Sequence, residues 1–91
     1  MRIDLHPRLQ KRVETLSAAN REQIAESLRA LGDGFGRPHL HAGIGTRRLR
    51  KELFECRAGL HWQIVFFAGK GRLTAYDVMT HGEVKAWLRN F

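Results

Sequence analysis

The second half of the chain carries a pattern of apolar and polar positions that predicts three consecutive β-strands. The stretch runs from Leu49 to Val78 and is rich in aromatic and β-branched residues, which favour strands. Two glycine-containing turn signals divide it, Ala58-Gly59 and Gly69-Lys70-Gly71. We therefore expect a small antiparallel sheet at the centre of the fold.

Polarity decides between two registers of the first hairpin. A two-residue loop, Ala58-Gly59, would mix apolar and polar residues on both faces. A three-residue loop over residues 58–60 places Arg57 opposite His61 and separates the faces. That register is favoured because a one-residue slip turns every side chain over. It gives an apolar face of Phe54, Cys56, Trp62, Ile64 and Phe66 and a polar face of Glu55, Arg57, His61 and Gln63.

The N-terminus predicts a very short strand over residues 1–5 and a helix from Pro7 to Leu16. Proline suits the first turn of a helix, and either Asp4 or His6 is placed to cap it. Apolar residues then recur at i, i+4 and i+7, which is the spacing of a single helical stripe.

A second helix is predicted from Arg21 to Leu31. Asn20 and Gln23 have the spacing of a capping box, and Gly32 is a plausible stop. Two short helices joined by a few residues form an antiparallel hairpin. Its apolar stripes are expected to pack on the apolar face of the sheet.

A long glycine-rich loop, residues 32–45, and a C-terminal helix complete the predicted order. The helix begins after Thr80, which forms a second capping-box pattern with Glu83. The expected fold is α+β: an N-terminal helix hairpin on an antiparallel sheet of three to four strands, with a short C-terminal helix. With 91 residues, residues 1–91 are expected to form a single domain.

The net charge of the chain indicates which class of binding partner it favours. The chain has 16 Lys and Arg against 9 Asp and Glu, a formal net charge of +7. Such a balance favours a polyanionic partner such as RNA, DNA, the ribosome or an acidic protein segment, although a merely basic surface is the simpler alternative. No signal peptide or membrane span is apparent, so a cytoplasmic location is expected.

The sequence gives little support for cysteine chemistry, for a metal site or for a phosphate-binding loop. Cys56 is the single cysteine and falls on the apolar face, which favours a core role and excludes an internal disulfide. His39 and His41 could chelate a metal, but no third ligand stands at a recognised spacing. The glycines from Gly32 to Gly36 lack the residues of a phosphate-binding loop. We therefore expect no metal and no cofactor.

General acid–base chemistry on a phosphodiester fits better. Cleavage through the 2′-OH needs a base, an acid and cations that stabilise the developing charge. Histidine suits the first two roles and arginine the third. The candidate catalytic residues are His81, His61, Arg57 and Glu55, and the candidate substrate-binding residues are Gln63, Arg47, Arg48, Arg50, Lys51, His39, His41 and Lys85. From the chemistry alone, ordinary solvated side chains are an equally good interpretation.

Three segments in order resemble the RelE/ParE superfamily of toxins from bacterial toxin–antitoxin pairs. They are Arg48-Leu49-Arg50 continuing to Leu53-Phe54-Glu55-Cys56-Arg57, then Trp62-Gln63-Ile64-Val65-Phe66-Phe67, then Gly71-Arg72-Leu73-Thr74-Ala75-Tyr76. The resemblance implies a cognate antitoxin as partner. It also implies either a metal-independent, ribosome-dependent mRNA endonuclease of the RelE type or a DNA gyrase inhibitor of the ParE type. A nucleic-acid-binding module without toxicity is a third hypothesis.

The resemblance also implies roles for individual residues. Thr80-His81 is similar to members that use a histidine there as acid or base, and Arg57 is similar to the arginine that ends the family's Glu-x-Arg strand. His61 falls where other members place polar catalytic groups. Gln63 departs from the pattern, because the family usually has an arginine there that holds the scissile phosphate in nuclease members. A neutral hydrogen bond is weaker than a charge-assisted one, so the activity is expected to be weak, to depend on Arg57 instead, or to be lost.

Overall fold

The elements follow one another in nearly the predicted order. A computed structural model of the protein describes residues 1–37 and 45–91. The described elements are β1 (Arg2–Leu5), α1 (Pro7–Glu14), α2 (Ala18–Gly34), β2 (Arg47–Arg50), β3 (Leu53–Ala58), β4 (Trp62–Gly69), β5 (Arg72–Met79) and α3 (His81–Arg89). None of the helices in these two ranges is long and apolar enough to cross a lipid bilayer.

The strands form one sheet in the order β1-β5-β4-β3-β2. Strand β1 runs parallel to β5, and the other neighbours are antiparallel. The α+β class is therefore confirmed, and the described sheet has five strands where three to four were expected. The additional strand is β2, because the chain turns at Lys51-Glu52 and pairs Arg47–Arg50 back on β3.

The β3–β4 hairpin confirms the predicted faces and corrects the predicted pairing. Arg57 pairs with Gln63, and Ala58 pairs with Trp62, so the three loop residues are 59–61. The expected pairing of Arg57 with His61 is therefore wrong by two residues. A shift of two leaves every side chain on its face, so polarity could not detect it. Gly59 opens the loop with a φ of +81°, in the left-handed region that glycine adopts at little cost.

The apolar face of the sheet packs against α1 and α2, as predicted. Its core includes Leu9 and Ile24 from the helices and Cys56, Ile64 and Phe66 from the strands, all at most 2% exposed. Burying each large aliphatic or aromatic side chain contributes about 1.5–3 kcal/mol before the entropy of ordering is counted. This layer is the main source of stability and fixes the orientation of the other face.

The helix boundaries differ from those predicted. Helix α1 ends at Glu14, two residues before Leu16. Helix α2 begins earlier because the Ser17 hydroxyl, and not Asn20, caps it by accepting the Asn20 N–H at 3.2 Å. Helix α2 also continues past Gly32 to Gly34, so the predicted stop is wrong.

Gly32 has a packing role inside α2. A Cβ atom there would lie 3.2 Å from Cδ1 of Ile3, so glycine lets the helix approach β1 closely. The Gly32 carbonyl oxygen also accepts a hydrogen bond from the Met1 amino group at 2.9 Å. The glycine therefore serves the helix–strand contact and does not end the helix.

Helix α3 covers part of the second sheet face. The predicted capping box is confirmed, because the Thr80 hydroxyl accepts the Glu83 N–H and a Glu83 carboxylate oxygen accepts the Thr80 N–H. A second apolar cluster lies beneath the helix and consists of Val65, Met79 and Val84, with Leu49, Tyr76, Trp87 and Leu88 packed around it. The second face is thus polar only beyond the edge of this helix.

Candidate functional site

A row of three paired residues crosses the second face of the sheet at one end. Arg57 of β3 pairs with Gln63 of β4, and Gln63 pairs with Met79 of β5. Arg57 is exposed, Gln63 is half-buried, and Met79 is 3% exposed. Antiparallel pairing holds these three positions side by side, since neighbouring strands lie about 4.8 Å apart. We call them the Arg57–Gln63–Met79 row.

Both candidate catalytic histidines lie at this same end of the sheet. His61 is the last residue of the loop that joins β3 to β4, two positions before Gln63. His81 is the first residue of α3, two positions after Met79. Both side chains are exposed. The fold therefore brings two imidazoles, one guanidinium and one carboxamide to one end of the sheet, although they come from separate parts of the chain.

Glu55 lies one step further along the same face and is held by an ion pair. It is 5% exposed, and its Oε2 lies 3.0 Å from Nη2 of Arg47, the residue directly opposite on β2. Its Oε1 has no hydrogen-bond partner among the described residues. Arg47 thus neutralises a buried carboxylate, and the buried Glu55 carboxylate is less available to a substrate than the exposed Arg47 guanidinium.

The chain segment that enters β2 touches Arg57. A Cβ atom on Gly45 would lie 3.1 Å from Nε of Arg57, and Gly45 has a φ of +66°. Glycine allows both the backbone conformation and the close approach of the guanidinium. The position of Arg57 therefore depends on β2 as well as on its own strand.

Arg48 and Arg50 lie elsewhere. The guanidinium of Arg48 stacks over the ring of Phe54 at 5.3 Å, on the face that packs against the helices. Arg50 donates to the carbonyl oxygens of Leu49 at 2.9 Å and of Leu88 at 3.5 Å. The second bond places a cation at the C-terminal end of α3, where it interacts favourably with the helix dipole.

Lys51 is also separate from the row. It lies in the β2–β3 turn, which β3 carries about 17 Å away from Ala58. Lys85 is exposed on α3, one turn after His81. His39 and His41 lie outside the described residues. Three of the predicted substrate-binding residues, Arg48, Arg50 and Lys51, are therefore not brought to the row, and the roles of all the candidates remain predictions.

Sequence reasoning missed an ion-pair network behind this end of the sheet. Asp77 of β5 is 4% exposed and is approached by Arg8 at 3.6 Å and by Arg12 at 3.9 Å. Arg12 also reaches Oε2 of Glu83 at 2.9 Å. The available signals were an aspartate directly before the apolar pair Val78-Met79 and two arginines spaced i, i+4 on a helix. They indicate a contact only once α1 is known to lie beside β5.

The chemistry of Cys56 agrees with its predicted place in the core. Its side chain is fully buried, and burial, assisted by the charge of Glu55, raises the pKa of the thiol to about 12. The thiolate is the nucleophilic form, so this thiol is a poor nucleophile at neutral pH. Within residues 1–37 and 45–91, no three metal-ligating side chains come close enough together to hold an ion.

Comparison with known proteins identifies the fold. No protein-family profile and no curated protein sequence matches the chain. Solved structures do match. One is from the archaeal RelE–RelB complex of Pyrococcus horikoshii OT3, with a TM-score of 0.71 and 15% identity over 89% of this chain and 94% of that chain. Another is the YoeB/ParE toxin of Agrobacterium tumefaciens, with a TM-score of 0.68 and 20% identity over 89% and 99%.

A third match is from the YoeB–YefM complex of Staphylococcus aureus, with a TM-score of 0.64 and 15% identity over 89% of this chain and 97% of that chain. The chain therefore has the fold of the RelE/ParE-type toxins. The resemblance that the sequence predicts is confirmed at the level of the fold. At these identities the likeness extends to the architecture alone, so activity has to be argued from the residues.

Proposed function

We propose that this protein is the toxin of a type II toxin–antitoxin system and acts as a RelE-like, ribosome-dependent mRNA endonuclease. The observation that supports this most is the Arg57–Gln63–Met79 row, with His61 and His81 at the same end of the sheet. The RelE/ParE-type fold and the net charge of +7 support a polyanionic target.

The proposed mechanism divides three tasks among these side chains. One imidazole accepts the proton of the 2′-OH, and the other protonates the leaving 5′-oxygen. The exposed guanidinium of Arg57 binds the scissile phosphate and stabilises the charge that develops on it. The Gln63 carboxamide adds a neutral hydrogen bond. Glu55 is paired with Arg47. Its negative charge lowers the net positive charge of this sheet face, and it is not the primary base.

Gln63 also supports a second candidate function. It occupies the centre of the row, where an uncharged side chain contributes less to phosphate binding than an arginine would. A ParE-like gyrase inhibitor binds a protein and needs neither the cation nor an acid–base pair. This alternative predicts loss of DNA supercoiling with intact mRNA, and indifference to His81.

An antitoxin is the proposed protein partner. Two of the solved structures that share the fold are complexes, RelE with RelB and YoeB with YefM. For this chain, the ribosome and its mRNA are the proposed target, with DNA gyrase as the alternative.

The test is to induce the protein in cells and map the 5′ ends of a reporter mRNA by primer extension. A matched reporter whose start codon is removed shows whether cleavage needs translation. The nuclease hypothesis predicts cuts within codons in the translated reporter alone, and their loss in His81→Ala. Undiminished toxicity of His81→Ala with intact mRNA would refute it and support the gyrase alternative.

A further inference from the structure

Arg12 occupies a position that connects three elements around the candidate site. It lies in the last turn of α1, and its side chain is 31% exposed. Its Nη2 lies 2.9 Å from Oε2 of Glu83 on α3, and its Nε lies 3.9 Å from Oδ1 of Asp77 on β5. Its guanidinium carbon is 6.0 Å from the ring centroid of Trp62 at the start of β4.

The contact with Glu83 is coupled to the start of α3. Glu83 uses Oε1 to accept the Thr80 N–H at 2.9 Å and leaves Oε2 for Arg12. The Thr80 hydroxyl accepts the Glu83 N–H in return. One carboxylate thus closes the capping box and carries the ion pair, so a displacement of Arg12 is transmitted to the first turn of the helix.

The segments that Arg12 contacts are those that carry the two histidines. His81 lies between the capping residues Thr80 and Glu83. Trp62 separates His61 from Gln63. Arg12 itself lies on α1, far in sequence from both histidines. A planar guanidinium that meets two carboxylates and an aromatic ring has little freedom to move.

We infer that Arg12 is a positioning residue, which sets the place of His81 relative to the Arg57–Gln63–Met79 row by holding Glu83 against Asp77. The catalytic part of this inference rests on the proposed function. The structural part does not, because it concerns where the His81 side chain lies whatever reaction it serves. No role of this kind follows from the sequence, since residues 12 and 83 are 71 positions apart.

A matched control is available in Arg8. It also approaches Asp77, at 3.6 Å, and stacks over Tyr76 at 5.2 Å, and both of these contacts are with β5 and not with the capping box of α3. Arg8→Ala therefore removes an ion pair to the same carboxylate without touching Thr80 or Glu83. If the network only stabilises the fold, Arg8→Ala and Arg12→Ala should behave alike.

The experiment combines NMR with cleavage assays. Histidine is labelled with carbon-13, and the ring resonance of His81 is assigned by its loss in His81→Ala. The inference predicts that this resonance moves in Arg12→Ala and in Glu83→Gln by more than its width, and stays in place in Arg8→Ala. Cleavage of ribosome-bound mRNA should fall about tenfold or more in Arg12→Ala, the order of loss expected when a reacting group is displaced.

The outcomes separate the two claims. An unchanged His81 resonance in Arg12→Ala overturns the positioning role, whatever the cleavage assay shows. A moved resonance, in a protein whose wild-type form cleaves no mRNA, supports the positioning role and refutes the proposed function. If Arg12→Ala does not fold, Arg12→Lys is measured in its place. A lysine ammonium cannot reproduce the two contacts that the guanidinium makes with Glu83 and Asp77. An unchanged His81 resonance in Arg12→Lys therefore overturns the inference.

Discussion

Arg57 and Gln63 lie directly opposite one another on β3 and β4, on the sheet face that α3 leaves partly open. This pairing joins the strongest candidate for phosphate binding to the residue that departs most from the family pattern. Because the two side chains are adjacent, a charge introduced at one position acts at nearly the same place as the charge at the other.

Gln63→Arg is therefore expected to increase cleavage. A hydrogen bond to a charged group contributes about 1 kcal/mol more than a neutral one, which corresponds to about fivefold in rate if it is made in the transition state. Primer extension with quantified cut ends measures the change. Gln63→Met, which keeps the length and removes the hydrogen bond, is the control and should cut less than wild type. If Gln63→Arg cleaves mRNA no faster than wild type, the side chain at position 63 does not bind the scissile phosphate.

Gly45→Ala is expected to impair activity beyond its effect on stability. Gly71→Ala is the matched control, since both glycines have positive φ, +66° and +63°, and a Cβ at Gly71 meets nothing within 4 Å. Each substitution should destabilise by about 1–2 kcal/mol through backbone strain. A Cβ at Gly45 also displaces the Arg57 guanidinium. Equal unfolding midpoints in urea with lower cleavage in Gly45→Ala alone would support this; equal cleavage would contradict it.

Glu83 predicts an acid-dependent loss of stability. The backbone hydrogen bond from Thr80 and the pairing with Arg12 lower the pKa of Glu83 below its ordinary value of 4.5. As the pH falls below 4.5, the unfolded state binds a proton at Glu83 before the folded state does. The stability that the ionised Glu83 contributes is therefore fully present above pH 4.5. It is lost as the pH falls from 4.5 through the lowered pKa of the folded state. Urea midpoints of wild type should approach those of Glu83→Gln on acidification.

The control for the loss of one carboxylate is Glu26→Gln, at an exposed position of α2, which should have the urea midpoint of wild type at neutral pH. The effect should be modest and reduced by salt, because the Glu83 side chain is 43% exposed. A constant difference between wild type and Glu83→Gln at every pH would contradict the assigned role of this carboxylate.

Cys56 should be unreactive in the native protein. A fully buried thiol with a pKa of about 12 presents almost no thiolate at pH 8. A disulfide reagent that absorbs on reaction should therefore detect no thiol in native buffer and one thiol per chain in denaturant. Rapid labelling of the native protein would show that the β3–β4 region opens readily.

The sequence predicted the faces of the sheet well because burial imposes a period of two. A one-residue slip in the pairing of β3 with β4 would place Ile64 on the face opposite to Phe54 and Cys56. The observed register keeps all three residues on one face. The pairing itself was wrong by two residues, since Ala58 and Trp62 extend the hairpin without changing faces. The sequence does not predict β2 as a separate strand, because its run of arginines has no alternation of apolar and polar residues.

Contacts between distant parts of the chain could not be predicted in the same way. The pairing of Arg47 with Glu55 depends on the turn at Lys51-Glu52, and the approach of Arg12 to Asp77 depends on α1 lying beside β5. Local patterns give no distance between such residues. The sequence therefore identified candidate groups for the site, and only the topology determines which of them meet.

Cleavage of mRNA on purified ribosomes is the decisive test of whether this protein is a ribosome-dependent nuclease. The assay compares wild type with His81→Ala and Arg57→Ala, and uses Arg29→Ala, at an exposed position of α2, as a charge-matched control. We expect ribosome-dependent cutting by wild type and Arg29→Ala, and losses of about 100-fold or more in the two site variants. Two results would contradict the nuclease hypothesis. One is equal cutting by all four proteins. The other is inhibition of purified gyrase with no mRNA cutting by wild type or by Gln63→Arg.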